Sequence, residues 1–135
     1  MGKGGKPILV KDARDYVKAY VSERTNPPYN IPEKDLIVGH LFDFDLLESF
    51  VQAVADLRNQ GEKIDAIRIY HAKSNRGGAM TKDESDLVIV PVMDDNSDYH
   101  MVYMRPKSLT AFYPLIIAES TPCPNICNGK SINCP

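Results

Sequence analysis

The spacing of apolar residues changes between positions 57 and 64, and that change limits the folds open to this chain. Leu47, Phe50, Val51, Val54 and Leu57 recur along one helical face, so a helix is expected over 46–60. Asp45 and Glu48 have the spacing of a capping box, and Gly61 supplies a left-handed stop. Beyond Gly61 the period becomes two. Ile67, Ile69 and His71 point one way and Ala66, Arg68, Tyr70 and Ala72 the other, as in a strand of about nine residues. Residues 87–92 are apolar on both faces and β-branched, which suits a central strand covered above and below. Pro91 lacks an N–H and should mark a bulge or the end of the ladder.

An earlier helix is expected over 12–22, capped by Asp12, because Ala13, Tyr16, Val17, Tyr20 and Val21 form a stripe that Asn26-Pro27-Pro28 terminates. Residues 36–42 read as extended or as a short helical turn, and 74–85 as a long polar connection. The turn composition of Asp94 to Ser97 makes 98–104 a hairpin partner for the apolar strand, and 115–118 can add a further strand. The expected fold is α+β: two helices packed on one face of a small antiparallel sheet, with an irregular Pro/Cys-rich tail. A single α+β domain over 1–120 and a C-terminal tail over 121–135 follow from that reading, and 135 residues leave little room for a second domain.

A formal charge of −2 gives no global basic field to draw in nucleic acid or anionic lipid. No apolar run approaches the roughly 20 residues needed to cross a bilayer. The short run at 8–10 is not a signal-peptide core, and Lys6 stands where a myristoylation pattern wants Ser or Thr. A soluble, cytoplasmic protein is expected, with no nucleic-acid and no membrane partner.

The three cysteines, Cys123, Cys127 and Cys134, cluster near the C-terminus. Cys123-x-x-x-Cys127 has a metal-ligand spacing, and Cys134 would be a third zinc ligand, with His40, His71, His100 or a second subunit supplying the fourth. A disulfide or simple thiols are the competing readings, and no cofactor is expected unless these cysteines hold zinc. Thiol redox chemistry is disfavoured because Pro122 and Pro124 impose an extended segment around Cys123. Gly129-Lys130-Ser131 lacks the first glycine and the following helix of a phosphate-binding loop. Asp94-x-Asn96-x-Asp98 lacks the glycine and the terminal acid of a calcium loop. Arg76-Gly77-Gly78 is cancelled by nearby acids as an RNA contact. His71 and His100 on neighbouring strands are the best catalytic pair on offer, without a nucleophile motif beside them.

The segment Ile64-Asp65-Ala66-Ile67-Arg68-Ile69-Tyr70-His71-Ala72, the apolar strand 87–92 and the Cys-Pro-containing tail together resemble small bacterial proteins of unknown function that share an IRIY strand, an apolar strand and terminal cysteines. The resemblance covers the central half of the chain and implies a bacterial source and no particular chemistry. The leading expectation is a non-enzymatic binding module that contacts another protein or a copy of itself through a sheet edge or the 74–85 connection. The alternatives are a zinc- or thiol-dependent protein built on the cysteines and a small hydrolase-like enzyme using His71 and His100.

Overall fold

A computed structural model describes residues 3–74, 85–99, 102–104, 112–124 and 132, with backbone alone for 102–104, 112–114 and 124. The elements in chain order are α1 (Val10–Thr25), a 3-10 turn (Glu33–Asp35), β1 (Ile37–Leu41), α2 (Phe44–Asn59), β2 (Ile64–Lys73), β3 (Ser85–Met93), β4 (Val102–Met104), β5 (Phe112–Pro114) and β6 (Thr121–Pro124). The class is α+β, as the two periodicities require. The described residues group into two compact units: 3–41, 85, 121–124 and 132 in one, and 42–74, 86–99, 102–104 and 112–120 in the other.

In the first unit α1 begins two residues before Asp12. Leu9 is the N-cap, and Asp12 lies in the first turn, where its charge favours the helix dipole instead of capping a backbone N–H. Ala13, Val17 and Val21 are half-buried, Tyr16 and Tyr20 are exposed, and no α1 residue is fully buried. In the last turn of the helix, the Arg24 guanidinium lies over the rings of Tyr20 and Tyr29, 5.2 and 4.5 Å from their centroids. Residues 37–41 resolve the earlier ambiguity as strand. The start of the expected irregular tail is also strand: β6 pairs antiparallel with β1, with Gly39 opposite Cys123, His40 opposite Pro122 and Leu41 opposite Thr121. Pro122 and Pro124 occupy alternate positions, so both missing donors fall on one edge of β6 and the other edge can pair.

In the second unit α2 starts at Phe44 with Asp43 as N-cap, which puts Asp45 inside the first turn and leaves the expected Asp45–Glu48 capping box unformed. Its C-terminus follows the expectation: Gly61 has φ +98°, its N–H donates to the Arg58 carbonyl, and the Glu62 N–H donates to the Leu57 carbonyl at 3.0 Å. Those two bonds satisfy carbonyls that the last turn would otherwise strand. Phe50 and Leu57 are buried with Ile64, Ile89, Tyr99 and Leu115, and Leu47, Ala53 and Val54 pack around them. Val51, at the margin of the same stripe, is exposed.

β2 and β3 form a two-stranded sheet, and just past their ends the Asp94 N–H donates to the Lys63 carbonyl at 2.8 Å. Pro91 does not end β3, which continues to Met93, and the Pro91 carbonyl accepts from the Tyr99 N–H. The turn at 94–97 carries Asn96 at φ +72°, and Asp95 accepts from both the N–H and the hydroxyl of Ser97. The expected hairpin begins as drawn, with Val92 bridged to Asp98 and the Tyr99 N–H on the Pro91 carbonyl; residues 100 and 101 of its returning arm lie outside the described residues, and 102–104 (β4) pair with β5. Ile117 takes the next place beside β3 through reciprocal bonds with Ile89 of 2.8 and 3.0 Å. Among the described residues the strands form three two-stranded pairings. No helix among the described residues is long and apolar enough to cross a membrane.

Candidate functional site

β2 is ten residues long and pairs with β3 on one edge; among the described residues no strand occupies its other edge. Ile64 enters the core at the strand's start, but farther along the alternation meets little cover. Ile67 is 46% exposed and Ile69 56% exposed, on the same face as Asp65, His71 and Lys73. The opposite face carries a polar cluster. Arg68 donates through Nη1 to Asp98 Oδ1 at 2.6 Å and through Nη2 to the Asn96 carbonyl at 3.2 Å, and the Tyr70 hydroxyl donates to Asp98 Oδ2. Hydrogen bonding to Tyr70 raises the Arg68 pKa; partial desolvation opposes the rise and Asp98 adds to it. The cluster ties the middle of β2 to the 94–97 turn and fixes which face the isoleucines present.

The firmest polar anchor lies at the head of β3. The Asp86 carboxylate is buried; its Oδ1 accepts from the N–H groups of Leu87 (2.8 Å) and Ser120 (2.9 Å) and from the Ser120 hydroxyl (2.7 Å), and its Oδ2 accepts from the Glu119 N–H (2.8 Å). Burial alone would push its pKa up. The Ser120 hydroxyl and the backbone N–H groups of Ser120 and Leu87 outweigh that and hold the carboxyl well below the usual carboxylate range. Glu119 sits at φ +60°, a left-handed conformation that costs a non-glycine residue about 1–2 kcal/mol and that its bond to Asp86 helps to hold.

Of the residues singled out in the sequence, Cys123 is a free thiol on β6, and its Sγ approaches the Thr121 carbonyl at 3.7 Å. Cys127 and Cys134 lie outside the described residues, as do His100 and 75–84 of the polar connection. Gly39 opposes Cys123 and His40 opposes Pro122, so strand alternation turns His40 to the face away from Cys123. His40 instead meets Ser85, with Nε2 to Oγ at 3.2 Å. Among the described residues no group of three or more His, Cys, Asp or Glu is placed to hold a metal ion. His71 is exposed on β2. The sequence reading missed Asp86 and the Arg68–Asp98 pair. Asp86 reads as the last letter of a polar loop, and Arg68 lies 30 residues from its partner. The available signal was an Arg within an otherwise apolar and aromatic strand, a position that calls for an acceptor.

Compared with known proteins, the chain matches no family model, no curated protein and no solved structure.

Proposed function

We propose that this chain is a non-enzymatic protein-interaction module of a bacterial cytoplasm and that it binds through the outer edge of β2. The observation that carries the reading is a ten-residue strand paired on one edge among the described residues, with Ile67 and Ile69 exposed beside that edge. A long apolar edge strand is a template for main-chain pairing, and neighbouring side chains supply specificity. β2 is anchored at its start by the Ile64 core and in its middle by Arg68–Asp98, so little ordering entropy stands against strand addition. Formal charge near zero supports a protein partner over nucleic acid or membrane.

A photo-crosslinking amino acid at position 67, introduced into the full chain in bacterial cells, tests this reading. It should yield a discrete protein adduct, either with the chain itself or with another protein, whereas the same probe at the exposed Glu23 of α1 should not. Equal labelling at both positions, or none at 67, would remove the interaction reading.

A further inference from the structure

We infer that the partner is a second copy of this chain, joined antiparallel, β2 to β2, about a two-fold axis at Ile69. The inference rests on the proposed use of the β2 edge and adds the identity and register of what occupies it.

A two-fold interface must be self-complementary, so the choice of axis decides every opposed pair at once. An axis at Ile69 sets Ile69 against Ile69, Ile67 against His71 and Asp65 against Lys73 on the exposed face. The acid–base pair occurs twice, once at each end, and closes the apolar centre between opposite charges. On the other face Arg68 meets Tyr70 and Ala66 meets Ala72, so a cation lies beside an aromatic ring and small residues face each other. No like charges are opposed. Shifting the axis to Arg68 would set one guanidinium against the other and Lys63 against Lys73. Shifting it to Tyr70 would set Lys73 against Ile67 and leave Asp65 beyond the partner strand.

The backbone is compatible with this register, as with any axis centred on a residue of β2, and the opposed side chains decide among them. The Lys63 carbonyl is directed toward Asp94 on the β3 side, so the period of two directs the N–H and C=O groups of Ala66, Arg68, Tyr70 and Ala72 to the outer edge. With the axis at Ile69 those four residues form the hydrogen-bonded pairs, 66 with 72 and 68 with 70. Ile69 then falls at a non-hydrogen-bonded pair, where opposed side chains approach most closely.

The test is sedimentation equilibrium of the full chain with three charge variants at exposed sites, and circular dichroism to verify that each folds. The unaltered chain should approach twice its 15.1 kDa as concentration rises to about 0.5 mM. Asp65→Lys and Lys73→Asp, which oppose like charges, should each weaken association by about tenfold or more, and the double variant, which restores opposite charges, should recover it. A chain that stays monomeric throughout, or a dimer indifferent to all three variants, overturns the inference. If the position-67 probe still captures a different protein in that case, the interaction reading stands and only the self-pairing fails; if it captures nothing, both fail.

Discussion

β2 and β3 lie side by side in one sheet, yet they meet opposite surroundings. β3 buries Ile89, Val90, Pro91 and Val92 in succession, so both of its faces are covered. It has β2 on one side and, on the other, Ile117 and Asp98 bridging to it. β2 sends Ile64 into the core and leaves Ile67 and Ile69 outside. Both strands are rich in β-branched residues, so β propensity does not separate them. The difference is one of position: β3 is enclosed by later parts of the chain, while β2 is the last strand on its side among the described residues. Stability should therefore reside in β3 and binding in β2.

Mutations can press on that contrast. Ile89→Ala should cost about 2–5 kcal/mol, because it opens a cavity in the core, whereas Ile69→Ala should change the unfolding free energy of the dilute chain by less than about 0.5 kcal/mol. Urea denaturation of the two variants compares them directly; equal losses would mean that the β2 face is covered after all.

Asp86→Asn should cost about 2 kcal/mol near neutral pH, because a neutral amide replaces a charged acceptor and offers its own N–H groups to donors. The same variant should alter the acid limb. The carboxyl is held below its unfolded value of 3.8, so its stabilisation is complete above that value and is lost as pH falls beneath it toward the folded-state value. Acid unfolding of Asp86→Asn should accordingly be shallower below about pH 4 than that of the unaltered chain. Parallel curves would show that the carboxylate is no more stabilised in the folded chain than in the unfolded one.

Smaller effects test the backbone around this sheet. Gly61→Ala meets no heavy atom within 4 Å at its new Cβ, so its expected loss of about 1 kcal/mol is the left-handed conformation alone. Glu119→Gly should stabilise by about 0.5 kcal/mol, since relief of the left-handed strain exceeds the added flexibility of the unfolded chain. Thermal unfolding by calorimetry resolves both signs, and a loss at 119 would assign the Glu119 side chain a role beyond its backbone bond.

Much of the framework was legible in the residues. The 3.6 and 2 periods located α2 and β2, Gly61 marked the helix end, and the unbroken apolar run of β3 announced a strand covered on both faces. Helix starts were harder, because Asp12, Asp43 and Asp45 are all chemically able to cap, yet the backbone path makes Leu9 the N-cap of α1 and Asp43 that of α2, with no side-chain capping bond at either. The site was legible only in part. Alternation placed Ile67, Ile69 and His71 on one face, but it could not say whether that face would be inside or outside.

Local patterns decided which segments became helix or strand, since period, proline placement and left-handed stops act over a few residues. Tertiary structure decided the rest: that Thr121–Pro124 would pair with β1, that Asp86 would receive donors from 119 and 120, and that Arg68 would find Asp98. Each of these joins groups roughly 30 to 90 residues apart, and such contacts depend on the enclosure of the whole chain, which no local pattern encodes. The same reason leaves the outer edge of β2 without a paired strand among the described residues, because an edge is set by what the rest of the chain encloses.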